Sequence, residues 1–180
     1  MNRTTVGGPE LGGGRGSGGV VVLSGRPGAG EDAVAPLLAE ALHPGAHLRA
    51  EDFGRAIRRG FVAPHLPEAR RQNETVLTAA AQAAFAFASG GYQVVVEGRI
   101  APSDLHAFRR ESRATGAPLH YVLLCPDPAR EESRPADEGS LGGLGALERH
   151  EVPVDPAADA ATVVKTVLDG LLRGAYLLGW

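Results

Sequence analysis

Gly25-Arg26-Pro27-Gly28-Ala29-Gly30-Glu31-Asp32 follows the apolar run Val20 to Leu23 and precedes a stretch with Leu37, Leu38, Ala41 and Leu42 at helical spacing. Strand, glycine turn and helix in that order build a cradle of backbone amides for phosphate, and the motif that does so reads G-x-x-x-x-G-K-[ST]. Its lysine holds the β and γ phosphates and its hydroxyl holds magnesium. Glu31 and Asp32 occupy those two positions here, behind the loop glycines Gly25, Gly28 and Gly30. Exchanging a cation for an anion matters because unit charges ~4 Å apart interact by ~4 kcal/mol at an effective dielectric near 20. The loop is therefore expected to repel the polyanionic nucleotide its shape is laid out for. ATP and magnesium binding are expected to be lost, and no cofactor or metal is expected.

The rest of the chain alternates strand and helix. Val20 to Leu23 predicts a buried parallel strand, and His47 to Ala50 a second one ending at Glu51-Asp52. A weak helical segment, Phe53 to Arg59, and a loop, Gly60 to Pro67, come next. Glu68 to Ser89 has strong helical periodicity and is stopped by Gly90-Gly91. Tyr92 to Val96 is the third strand, ending at Glu97-Gly98-Arg99. Ser103 is the expected N-cap of a helix ending near Gly116. Leu119 to Cys125 and Val152 to Val154 complete five strands, and Ala161 to Leu172 is an amphipathic helix. The order implies an α/β fold: a mainly parallel five-stranded sheet, helices on both faces, ligands at the carboxyl ends of the strands. Pro36 lacks an amide hydrogen, so the first helix is expected to kink or to begin late, which would spoil the phosphate nest.

The chain has 180 residues, enough for one domain over 20–180 with a sizeable core. Met1 to Gly19 is glycine-rich, lacks the apolar segment of a secretory signal and reads as a flexible tail. A net charge of −3 and a pI near 6.1 give no basic field, so nucleic acid and anionic membrane are not expected partners. No apolar run reaches the roughly eighteen residues needed to span a bilayer. A single cysteine, Cys125, excludes an internal disulfide and fits a cytoplasmic protein. The apolar end, Tyr176 to Trp180, is expected to dock on the domain or to meet a partner subunit, a homodimer being the expectation for the latter.

Carried by Val20 to Gly25, the glycine loop, Glu51-Asp52-Phe53, Arg58-Arg59-Gly60-Phe61, Arg70 to Glu74 and Tyr92 to Gly98, the chain resembles the small P-loop kinases. The likeness is greatest to the chloramphenicol-phosphotransferase-like and zeta-toxin-like group, often labelled AAA-family ATPases. It implies a three-layer P-loop kinase fold. It also implies that Asp52 corresponds to the base that takes the proton of the substrate hydroxyl, with Arg70 and Arg71 near the acceptor pocket. Where related kinases carry an arginine-bearing helical lid, the segment 126–147 is a reduced remnant in which Arg130 and Arg134 are left among acids, prolines and glycines.

The donor side thus departs from the pattern while the acceptor side keeps it. The leading expectation is an ATP-independent acid–base enzyme acting on a small molecule by elimination, isomerisation or cyclisation. Asp52 is its base, Glu97 or His65 the acid partner, and Arg58, Arg70, Arg71, Asn73 and Arg99 hold the substrate. Crowding of Glu31, Asp32, Asp52 and Glu97 would set an acid beside a base or chelate a hard cation, or the loop acids simply favour the helix dipole. The alternatives are a non-catalytic pseudokinase that binds a ligand or partner, and an active small-molecule phosphotransferase.

Overall fold

The computed structural model describes residues 11, 18–126, 150–155 and 157–179. The lid remnant, with Arg130 and Arg134, and most of the glycine-rich N-terminal stretch lie outside the described residues. Within that stretch, however, Leu11 is buried and its amide donates to Gln93 Oε1 (3.3 Å), while Gly18 donates to the Ala88 carbonyl (2.8 Å) and Gly19 to Gln93 Oε1 (3.0 Å). At those three residues the chain is held to the domain.

Five parallel strands form one sheet in the order β2-β3-β1-β4-β5: β1 (Val20–Gly25), β2 (Gly45–Arg49), β3 (Gln93–Glu97), β4 (Leu119–Pro126) and β5 (Glu151–Val154). The strands are valine-rich because both of their faces are covered. Alternation divides each strand between two cores. Val20, Val22, Val94 and Val96 face α3 (Arg70–Ser89) and α4 (His106–Thr115), where Ala81, Ala84, Phe85 and Phe108 fill one layer. Val21, Leu23 and Val95 face α1 (Glu31–Ala41) and α5 (Ala160–Leu172), with Val34, Leu38, Val167 and Leu171 in the other. Small alanines on α3 let that helix approach the sheet closely.

Several boundaries differ from the sequence reading for local reasons. α1 begins at Glu31, not later, because the amides of Ala33 and Val34 both reach the Gly30 carbonyl (3.1 and 3.2 Å) and close the first turn. Pro36 sits inside this helix, and the carbonyl it leaves unused is that of the exposed Asp32. The nest is therefore not displaced. After β2 the helix α2 is Ala50–Arg55, not Phe53 to Arg59, so Glu51 and Asp52 fall in its first turn. A short 3-10 turn, Pro102–Leu105, precedes α4 and is closed by Asp104 Oδ2 accepting from the Ala101 amide (3.3 Å), the place expected of Ser103.

The chain end docks on its own domain. Tyr176 and Leu178 are buried, and Tyr121 and Leu178 amides donate to the Tyr176 and Leu119 carbonyls (3.0 and 2.9 Å). Leu177 bridges His120 in antiparallel sense, on the edge of β4 that the four-residue β5 leaves uncovered.

Candidate functional site

β1 lies at the centre of the sheet, between β3 and β4, and the connections leave it on opposite sides. The crevice at its carboxyl end is the place where such sheets bind ligands. The loop that follows takes two left-handed backbone positions, Gly28 (φ 86°) and Gly30 (φ 75°), which an L side chain would strain. Ala29 donates to the Arg26 carbonyl (2.9 Å) and closes the turn. Arg26 anchors it from behind, through its amide to Leu124 (2.9 Å) and its Nη2 to Glu151 Oε1 of β5 (3.3 Å).

Glu31 folds back over this loop. A Cβ built on Gly25 would lie 2.7 Å from Glu31 Cδ, with Glu31 Oε2 nearer still, so only glycine at position 25 admits the carboxylate there. Asp32, exposed on the next position, accepts from the Ala33 amide through Oδ1 (3.0 Å).

The opposite wall is made by β2 and β3. Their register sets Arg49 beside Glu97, and strand alternation puts His47 on the same face as Arg49. Glu97 is 7% exposed. Its Oε2 lies 2.8 Å from His47 Nε2, within hydrogen-bond reach, and Oε1 lies 3.7 Å from Arg49 Nε. Beyond β3, the Ile100 amide donates to Ser24 Oγ (3.2 Å) and its carbonyl accepts from the Tyr121 hydroxyl (2.9 Å). These two bonds fix the turn that presents Arg99. Burial pushes the Tyr121 hydroxyl up to about 12, so it stays a donor.

Between the walls is an open cleft of about 400 Å³. Glu31, Asp32, Glu97 and Arg99 line it together with the loop glycines Gly28 and Gly30. Arg49 and Glu51 complete the charged lining, so carboxylates outnumber guanidiniums by four to two. Asp52 is not in the lining. Starting α2 at Ala50 turns it outward, where its Oδ1 accepts from Arg55 Nη1 (2.9 Å), while Glu51 takes the wall and also meets Arg55 (3.1 Å).

The remaining predicted residues stand apart from the cleft. His65 is exposed in the loop before α3, and Arg58 and Arg71 are exposed as well. Arg70 pairs along its helix with Glu74 (3.3 Å). Asn73 donates to the Pro64 carbonyl (2.8 Å), and Gln72 grips Val62 through both amide and carbonyl (2.8 and 2.7 Å), so these side chains hold the loop. The acids do not gather as a chelate: among the described residues no three His, Cys, Asp or Glu side chains are placed to share an ion. His47 and Arg49 are the site residues that sequence reasoning missed. The signal was present, since alternation in a strand through His47 to Ala50 puts both on one face, leading to the acidic pair.

No family model matches the sequence, and no curated protein matches it. Solved structures do match over nearly the whole chain. The APS kinase of Mycobacterium tuberculosis, in complex with AMPPNP and APS, is 17% identical, covers 88% of this chain and 99% of its own, and superposes with a TM-score of 0.61. A gluconokinase from Sinorhizobium meliloti is 20% identical over 87% of this chain and 93% of its own, with a TM-score of 0.52. Shikimate kinase from Aquifex aeolicus is 15% identical over 86% and 96%, with a TM-score of 0.50. At such identities the likeness concerns architecture, and the fold of this chain is that of the P-loop kinases.

Proposed function

We propose that this protein is a P-loop-fold small-molecule protein that no longer transfers phosphate from ATP and instead works as an acid–base enzyme without a nucleotide. The observation that carries the reading is Glu31, whose carboxylate lies against Gly25 inside the glycine loop, with Asp32 beside it. A magnesium triphosphate does not fit these residues. Acids stand where a cation and a hydroxyl are needed.

The acid–base centre in this proposal is Glu97 with His47. A carboxylate buried at a strand end and hydrogen-bonded to an imidazole can hold or pass a proton at the cleft floor. Arg49 and Arg99 would orient a polar substrate. Elimination, isomerisation and cyclisation need no more than this. Incubation with a metabolite extract, followed by mass spectrometry, should reveal a substrate that wild type and Asp52→Asn consume and Glu97→Gln does not. Consumption by Glu97→Gln at the wild-type rate defeats the assignment.

The pairing of Asp52 with Arg55, away from the cleft, favours a second reading, a non-catalytic ligand-binding pseudokinase. It predicts ligand retention without turnover. Among the described residues no helix is long and apolar enough to cross a membrane, and we place the protein in the cytoplasm. Leu172 and Leu177, exposed at the chain end, are the residues a homodimer would use, which sedimentation of Leu172→Glu against wild type tests.

A further inference from the structure

We infer that the docked chain end is an acid-released latch: when His120 takes up a proton, residues 176–178 and the Leu11 anchor lift from the sheet while the five strands stay paired. The latch lies at the amino end of β4, opposite the cleft, and does not depend on what the cleft binds.

His120 is a polar side chain in a place built for apolar ones. Leu119 and Tyr121 belong to the core layer under α3 and α4, so strand alternation turns His120 to the opposite layer, that of Leu11, Val21, Val122 and Tyr176. The ring is 3% exposed, and neither nitrogen has a hydrogen-bond partner among the described residues. Little there answers a positive charge. Buried His150, just before β5, opposes it, and the Leu11 backbone alone favours it. The other groups on the elements packed around β4 do not reach it. Lys165, Asp169 and Arg173 of α5 are exposed, and Glu151 of β5 pairs with Arg26 of the glycine loop. Burial keeps the Tyr176 phenol neutral, and α4 with its arginines packs on the other face.

What yields on protonation follows from how each neighbour is attached. β4 pairs with β1 at six positions, from Leu119 to Leu124, in the middle of the sheet. The terminal segments have far fewer bonds to it. Leu11 is tied by its amide to Gln93, and the chain end by two bonds that flank His120, from the Tyr121 amide to the Tyr176 carbonyl and from the Leu178 amide to the Leu119 carbonyl. Local opening runs through the least-bonded segments, and lifting these two admits water to the imidazolium without breaking the ladder. It also bares Tyr176, Leu178 and the edge of β4 that β5 leaves uncovered.

Linkage gives the size of the effect. The open form takes the proton near the ordinary 6.5 and the closed form near 4, so the opening equilibrium rises about thirtyfold from pH 7.5 to pH 5. Native-state hydrogen exchange on the full chain tests this, with each rate expressed as protection against the amide's intrinsic rate at that pH. The Leu11, Tyr121 and Leu178 amides should lose about thirtyfold in protection. Low, non-denaturing urea should leave that opening unchanged because little surface is exposed in it, whereas β1 and β3 amides should stay better protected and lose protection steeply with urea. In His120→Gln the pH effect at the three latch amides should disappear. Equal protection at the two pH values, a urea dependence as steep as that of β1, or a thirtyfold effect that survives in His120→Gln overturns the inference. Should the variant not fold, the pH and urea arms on wild type decide by themselves.

Discussion

Lowering the pH should destabilise this protein through one histidine in the sheet. His120 lies in β4 under the chain end and is 3% exposed, with neither ring nitrogen hydrogen-bonded among the described residues. Burial, with a smaller contribution from neighbouring His150 and partly opposed by the Leu11 backbone, lowers its pKa from 6.5 to about 4. The unfolded chain takes up this proton below about pH 6.5 and the folded protein only near pH 4, so the unfolded state gains throughout that window. The full effect is about 3 kcal/mol, and most of it is lost between pH 7.5 and 4.5. Against a total stability of about 5–15 kcal/mol this is a large share. Urea unfolding of wild type and His120→Gln at the two pH values isolates the term, because carboxylates and other histidines titrate in both proteins. The wild type should lose about 2 to 3 kcal/mol more than the variant on acidification. Parallel losses, within about 0.5 kcal/mol, would refute the assignment of a neutral buried imidazole.

Two further predictions concern how the frame is held. Gly170→Ala places a Cβ 2.5 Å from Cζ and the hydroxyl of Tyr176, which must leave its buried seat and take the docked chain end with it. Stability should fall by about 2 kcal/mol in urea, with faster hydrogen exchange at the Leu178 amide; a loss below about 0.5 kcal/mol contradicts this. Gln72→Ala removes both hydrogen bonds to Val62, so protease should cut between Gly60 and Pro67 sooner than in wild type, and an unchanged cleavage rate contradicts this.

The fold was legible because three signals agreed: valine runs of strand length, a glycine turn after the first of them, and helical periodicity between strands. Boundaries were less so. Pro36 argued for a late α1, yet the Gly30 carbonyl, accepting from two amides, starts the helix at Glu31. The same kind of local detail decided the site. Beginning α2 at Ala50 instead of Phe53 is what exchanged Asp52 for Glu51 at the cleft wall, and a strand-to-helix junction without a side-chain cap gives little warning of its position. Glu97 and Arg99 reach the cleft because they follow a strand at the sheet's carboxyl edge. His47 and Arg49 escaped because a partly exposed edge strand lacks the continuous apolar run that marks the others. Arg70 and Asn73, read as substrate ligands, turned out to satisfy a neighbouring carboxylate and a loop carbonyl, roles that composition alone does not distinguish.

Calorimetry with Mg-ATP, on the wild-type chain and on Glu31→Lys with Asp32→Ser, tests the central claim most directly. The account predicts no binding to the wild type and measurable binding to the double variant, in which the loop regains a cation and a hydroxyl on an unchanged backbone. Micromolar binding of Mg-ATP to the unaltered protein would contradict it.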